Sequence, residues 1–473
     1  MNKKDSRRLE QKEKKREAEI RELVSAQRRY FLSGVTLSYE ARMDALRRVR
    51  WALRKFEPQL LRALYQDLHK SPSEGYMAEL SLAKEELNYC MRHLAGWMRR
   101  EYVKTGVSCF PSKCFTVAEP YGVVLIMAPW NYPVLLCMEP LINAIAAGNC
   151  VIIKPSAYAP HVAAVIENML AACFAPERVA VVCGGRDENT ALLEQRFDYI
   201  FFTGSVNVGK TVLEKAARYL TPVTLELGGK SPCIVDKTAD IGAAARRIVF
   251  GKLLNAGQTC VAPDYLIVHP DIKYALFAAL EREIKRALGE EPLACEEYPR
   301  MVNKKHYLRV MNLMKGQFAV TGGYGDPGTL QIAPTILDDV SLDAPIMQEE
   351  IFGPVLPTLS FTTREELLAI LRHFEKPLAC YLFTKDRAME QWALRHISFG
   401  GGCINDTIVH LTTPELGFGG VGASGMGSYH GRTGFETFSH RKSIVKKYNV
   451  LDFPMRYHPY ADWKDAVIRR LIR

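Results

Sequence analysis

The sequence predicts an α/β protein built around a doubly wound parallel sheet, with a second α/β domain after it. Three observations carry that reading. Residues 121–226 alternate short apolar runs with stretches of helical periodicity. Residues 232–404 repeat the alternation. A length of 473 residues exceeds what one ordinary core holds, so two or three domains are expected.

Taken in order, residues 3–19 mix lysine, arginine and glutamate without a hydrophobic face, which reads as a solvated helix or a frayed tail. From about Ala26 to Phe110 the spacing is helical, as at Met43, Leu46, Val49 and Leu53. Strands are expected at 123–127, 151–154, 179–183, 199–202 and 223–226, with helices starting near Val134, His161, Asn189 and Val208. Such sheets bind ligands beyond the carboxyl ends of their strands, so the loops there are where chemistry is sought. In the second region strands are expected at 233–235, 265–269 and 379–384, with a helix across 241–254. From Leu416 a glycine-rich loop leads into 435–448, which reads as extended and then basic.

Hydrophobic residues at 48% and charged residues at 24% mark a folded soluble chain, and no apolar run approaches the roughly 20 residues that span a bilayer. The net charge of +10 is modest for the length, and its basic residues are interleaved with acids; this indicates solubility and anion attraction and excludes a nucleic-acid binder. The first residues lack the apolar segment of a secretory signal and carry too many acids for a transit peptide, so a cytoplasmic location is expected. Twelve scattered cysteines without CxxC spacing suit a reducing compartment. No metal site is expected, since neither HExxH nor paired Cys/His spacing occurs, and no GxSxG elbow supports a serine hydrolase.

The run Asn255-Ala256-Gly257-Gln258-Thr259-Cys260, with Glu226 upstream in LELGGK, supplies a thiol nucleophile and a carboxylate base. The loop after the first strand, APWNYP, places Asn131 where its side-chain NH₂ can meet an oxyanion, or can satisfy turn backbone instead. Lys154, in IIKPS with Ser156, offers donors to ribose hydroxyls or phosphate, or is a surface lysine. Gly204, Ser205 and Gly209 open a helix straight after a strand, the setting of an anion-binding turn or a plain tight turn. The formal GxGxxG at Gly417, Gly419 and Gly422 follows no strand and is expected to line or close the active site, not to bind a dinucleotide.

Together APWNYP, IIKPS, FTGSVNVGK, LELGGKSPC, NAGQTCVAPDY and MQEEIFGPVLP resemble the NAD(P)-dependent aldehyde dehydrogenase superfamily, and FGGVGASGMGSYHG with FETFSHRKS narrows the likeness to its class-3 branch of fatty and aromatic aldehyde enzymes. The resemblance implies oxidation of medium- or long-chain aliphatic or aromatic aldehydes to acids. Cys260 is the implied nucleophile, Glu226 the base that activates water, and Asn131 the oxyanion donor with the Cys260 N–H. It further implies that Trp130, Lys154, Ser156, Gly204, Ser205, Gly209, Gly228, Glu350 and Phe352 hold NAD or NADP. Tyr132, Ile408 and His410 are candidates for the substrate pocket by proximity to motifs. A coenzyme A-acylating dehydrogenase and a non-catalytic binding protein on the same fold are the alternatives; the retained Glu226 and Cys260 argue against both.

The implied organisation is an N-terminal extension at 1–25, a cofactor domain at 26–102 and 119–227, a catalytic domain at 228–416, a small β oligomerisation element at 103–118 and 417–460 that makes a homodimer, and a tail at 461–473. Relatives usually carry glutamate where Ala157 stands; its loss removes a charge that would repel a 2′-phosphate, so NADP⁺ is expected to be tolerated. The tail, with Trp463, Val467, Ile468 and Leu471 on one face, is read as covering a partner's substrate entrance, as touching a membrane surface, or as a cap.

Overall fold

The computed structural model describes residues 3–471, and side chains for residues 14–470. Its first sheet has six strands in the spatial order Gly425–Met426, Val223–Leu227, Tyr199–Gly204, Val123–Met127, Cys150–Lys154 and Val179–Val181. All pairings are parallel except the one to Gly425–Met426. Successive strands run outward from Val123–Met127 in both directions, which is the doubly wound arrangement, with its topological switch beside that strand. Every residue of Val123–Met127 and Cys150–Lys154 is buried, as a sheet covered on both faces requires. The helix Leu135–Ala147 is buried along its whole length.

The second sheet has seven strands in the order Phe318–Thr321, Thr335–Asp338, Val355–Ser360, Tyr265–Val268, Pro232–Val235, Ala379–Phe383 and Gly401–Ile404. Only the first pair is antiparallel. Four of these strands lie outside the sequence expectation. Pro357 interrupts one and Gly401-Gly402 opens another, and both residue types weaken a strand signal that tertiary pairing then supplies. Glu101–Val103, Ser112–Pro120 and Ser439–Lys447 form a third, antiparallel sheet. The stretch at 435–448 is therefore not extended throughout: Phe435 sits in the short helix Gly431–Thr437, and its buried ring packs on Trp97.

The charged N-terminus forms a solvated helix, exposed over residues 14–19, that continues past the charged run. One helix, Lys3–Leu32, runs through the proposed boundary at residue 25 and lies against the first sheet. Ile20 and Val24 are buried in a cluster with Val182, Leu192 and Ile152. Gln27 is fully buried and donates to the carbonyls of Val151 and Pro176, both at 2.9 Å. Two apolar side chains four residues apart were too sparse to mark a face within so charged a run. At the other end Asp462–Leu471 is a helix, with Lys464 donating to the carbonyls of Tyr457 and Pro459 and Trp463 exposed. No described helix is long and apolar enough to cross a membrane.

Asn149, fully buried, joins the first and third sheets: its side chain accepts from the Gly122 N–H at 2.9 Å and donates to the carbonyls of Ala144 and Phe438 at 3.1 and 2.9 Å. Asn149→Ala removes the partners of the Gly122 N–H and the Phe438 carbonyl, while the Ala144 carbonyl keeps the Asn149 backbone N–H, and is expected to lower the unfolding free energy by about 2 kcal/mol in urea titrations.

Candidate active site

Loops at the carboxyl ends of the first sheet meet loops at the amino ends of the second around Cys260. The chain reaches it through an irregular turn, Leu254–Gly257, in which Asn255 and Ala256 both have φ of 50° and Gly257 has φ of 73°. A side chain at Gly257 would sit 2.3 Å from the Gly353 carbonyl, so only glycine allows the Phe352-Gly353 loop to come this close. Asn255 is fully buried; its amide donates to the carbonyls of Asn131 at 2.8 Å and Gln258 at 3.1 Å, and its backbone N–H to Glu74 at 2.7 Å. Asn131 donates to the same Gln258 carbonyl at 3.1 Å, which holds its amide two residues from Cys260.

Asn131 is fixed from behind by a pair that sequence reasoning missed. The ammonium of Lys70, fully buried, donates to Glu79 at 2.6 Å and to the Asn131 carbonyl at 2.7 Å. The other Glu79 oxygen accepts from the N–H groups of Val134 and Leu135, the entry to the buried helix. Lys70 lies 61 residues from Asn131 in an unremarkable LHK run, so no local signal marks it.

Three acidic groups crowd the site. Glu226, 3% exposed on the strand Val223–Leu227, has no hydrogen-bond partner for either carboxylate oxygen, and burial holds it well above the usual carboxylate range. Glu350 lies directly on Gly228, where a Cβ would come within 2.0 Å of its oxygen; burial, then the Asp264 charge, push it up to about 8. Cys260 is raised to about 12 by burial first, then by the charges of Glu350 and Glu226. The Glu350 loop is locked by Lys230, which donates to Asp264 at 2.5 Å and to the carbonyls of Ile346 and Glu349, while Asp264 accepts from the Ile351 N–H.

Cys260 opens on a cavity of about 310 Å³ whose wall is mainly apolar, including Met77, Leu135, Phe250, Ile408, Phe418 and Tyr429. Tyr132 lines it and shares a 2.7 Å hydrogen bond with Thr259. His410 does not line it: its ring is turned toward Cys403, 3.6 Å from the sulfur, and packs on Phe418. The histidine in the wall is His430, 3.3 Å from Glu139. The glycine-rich stretch at 417–427 opens no helix up to Met426; Gly425 pairs with Glu226, and Phe418 faces the cavity.

On the other side of the switch point the remaining candidates form a second group. Lys154, 4% exposed, donates to the carbonyls of Pro155 and Gly184, both at 2.7 Å. The Ser156 hydroxyl accepts from Tyr158 N–H at 3.2 Å, and Ala157 is exposed at the same strand end. Ser205 precedes the helix Val206–Ala217 without spending its side chain on a cap, which leaves the first N–H groups of that helix for an anion. Gly209 lets this helix press on Leu227, 2.8 Å from where a Cβ would be. Trp130 and Phe352 meet edge-on at 5.5 Å between the two groups. An open helix N-terminus, a buried lysine and an aromatic pair leading to Glu350 fit a dinucleotide by the chemistry of the donors.

Residues 1–444 match the profile of the aldehyde dehydrogenase family. The chain is 45% identical over 433 residues to 4,4'-diaponeurosporen-aldehyde dehydrogenase of Staphylococcus aureus, covering 91% of this chain and 94% of that one. It is 42% identical over 444 residues to the dimeric NADP-preferring aldehyde dehydrogenase of Canis lupus familiaris, covering 93% and 98%. Among solved structures, the substrate-bound state of Staphylococcus aureus AldH superposes with a TM-score of 0.93 at 43% identity, over 96% of this chain and 99% of that one.

The raised thiol gives a direct expectation. At pH 8 in the free protein Cys260 is alkylated by iodoacetamide about 10³-fold more slowly than a free cysteine, because so little is thiolate. Glu350→Gln removes a facing charge and speeds the reaction, as read by peptide mapping over time.

Proposed function

The chain belongs to the aldehyde dehydrogenase family, in its class-3 branch, and its reaction is the oxidation of an aldehyde to the carboxylic acid; from that premise we propose that Cys260, Asn131 and Glu226 perform the chemistry. The observation that carries it is Cys260 in the wall of an apolar cavity, with the Asn131 amide held on the Gln258 carbonyl two residues before it and Glu226 near enough for its charge to raise the thiol. The Cys260 thiol releases its proton to solvent, its sulfur adds to the aldehyde carbon as the carbonyl π pair moves to oxygen, and the resulting oxyanion is received by the Asn131 amide and the Cys260 N–H. When bound, the nicotinamide supplies the acceptor that takes the aldehyde hydrogen with its electron pair. The carbon left on Cys260 is a thioester. Glu226, raised by burial, is basic enough to take a proton from water as the water oxygen attacks that thioester, and the acid leaves as the sulfur is released. A carboxylate without a partner suits hydrolysis better than transfer to a thiol cofactor.

Lys154 and Ser156 are assigned to the adenosine ribose, and Gly204, Ser205 and Gly209 to the pyrophosphate. Trp130, Gly228, Glu350 and Phe352 are assigned to the nicotinamide end. The apolar cavity favours aliphatic or aromatic aldehydes, in keeping with the polyene aldehyde in the name of the Staphylococcus aureus relative. Ala157 supports use of NADP⁺ as well as NAD⁺, and the canine relative is named NADP-preferring. A homodimer is supported by that relative's name, by the open outer edge of Ser439–Lys447 and by the exposed Tyr102 and Val445 on the same sheet.

Reduced cofactor followed at 340 nm with hexanal and benzaldehyde tests the reading. Cys260→Ala is expected to abolish turnover, and Glu226→Gln to accumulate an acyl adduct on Cys260 visible by intact mass. A folded Glu226→Gln that turns over at the wild-type rate overturns the assignment of the base. Because Cys260 and Glu226 both hold protons raised by burial, kcat/KM rises from pH 6 to 9 without an optimum between. Ala157→Glu shifts the preference toward NAD⁺ by about tenfold or more, the effect of some 1.4 kcal/mol of restored repulsion.

A further inference from the structure

The N-terminal helix Lys3–Leu32 is tied to the strand ends that face the cofactor site by a run of contacts along one side. Gln27 bonds the Val151 carbonyl, on the strand that ends at Lys154. Ile20 and Val24 pack on Val182, just before the loop that holds Gly184. One turn earlier Arg16 reaches Glu188, with Nη2 and Nε at 2.8 and 3.0 Å from the same carboxylate oxygen. The other Glu188 oxygen accepts from the Gly185 N–H at 2.6 Å. Gly184, φ of 140°, rests against that carboxyl so closely that a Cβ would come within 2.2 Å of it. The Gly184 carbonyl in turn accepts from the Lys154 ammonium at 2.7 Å. An unbroken path of hydrogen bonds and backbone thus leads from Arg16 to Lys154.

We propose that Arg16 is a positioning residue for the adenosine end of the cofactor, acting through Glu188 and the Gly184-Gly185 turn on Lys154. The inference rests on the assignment of Lys154 to the adenosine ribose. An exposed ion pair by itself contributes little. Here, however, one partner is a carboxylate that also caps the turn, and the turn supplies one of the two carbonyls that aim the lysine. With alanine at 157 no acidic side chain stands at that position to share the hydroxyls, so the aim of Lys154 bears more of the ribose contact. The N-terminal charged segment, which sequence composition presents as a solvated helix or a frayed tail, becomes part of the cofactor domain's working edge.

The test compares full-length wild type with Arg16→Glu, Arg16→Gln and Arg16→Lys. It reads dissociation constants for NAD⁺ and NADP⁺ by calorimetry, exchange of the Gly185 amide by hydrogen–deuterium mass spectrometry, and steady-state constants. Reversing the charge puts two carboxylates face to face, and both dissociation constants are expected to rise about tenfold, with about threefold for Arg16→Gln and near wild-type values for Arg16→Lys. KM for the cofactor follows, while kcat and KM for hexanal stay within twofold. Gly185 exchanges faster in Arg16→Glu and Arg16→Gln only. Unchanged cofactor binding in a variant whose Gly185 amide has been released overturns the proposal, as does a parallel loss of binding in Arg16→Lys. Wild type that binds neither nucleotide overturns the underlying assignment of the site itself, a result distinct from equal binding by wild type and variants.

Discussion

The constraint around which the rest of the molecule is organised is the burial of Glu226 without a hydrogen-bond partner. An unpartnered carboxyl in a dry interior is costly, and the group answers by holding its proton. Nothing in its strand requires this. The strand Val223–Leu227 would be more stable with an apolar residue in that position, and the fold offsets the cost with two large sheets, the carboxyl ends of the first closing over the amino ends of the second. Gly228 and Gly257 permit that closure, because each admits a neighbour to within a distance that any side chain would forbid.

Two buried charge pairs are arranged in the opposite way. Lys70 with Glu79, and Lys230 with Asp264, are fully paired and spend their remaining hydrogen bonds on backbone of the loops that carry Asn131 and Glu350. Removing one member of such a pair leaves an uncompensated charge, so these pairs are better at holding a loop in one place than at adding stability. Paired charges set the geometry around the unpaired Glu226. The separation explains how Cys260 can be surrounded by Glu226 and Glu350 with the loops beneath it still fixed.

What the sequence made legible follows the same division. Strands 123–127 and 199–202 were readable because fully buried parallel strands are continuous apolar runs, and the loops after such strands because glycine, proline and asparagine act on their own neighbourhood. Cys260, Glu226, Asn131 and Lys154 lie at those strand ends or loops. Lys70, Glu79, Asp264 and Glu188 were not readable, since each acts across a long sequence separation and carries no local pattern. His410 was misplaced for a related reason: nearness in sequence to Ile408 said nothing of ring direction, and the positive φ of Ile408 turns the chain so that Ile408 faces the cavity while His410 turns to Cys403. The buried face of the N-terminal helix was missed by composition, because a charged run hides Ile20 and Val24.

The cavity wall joins these arguments. An apolar lining excludes water from the thiol and so raises its proton affinity, yet the same site must admit one water to reach a thioester. Leu135, Phe250 and Ile408 line the apolar cavity together with Phe418 and Tyr429 of the glycine-rich segment, and Gly425 of that segment pairs with Glu226. The same segment thus joins the cavity wall to the strand that carries Glu226. Glycine in that loop therefore serves close packing against the strand that carries the base, with Gly425 at φ of 149° and its neighbour Gly427 at 84°, conformations that side-chain-bearing residues rarely adopt. The formal dinucleotide motif there is a by-product of that requirement.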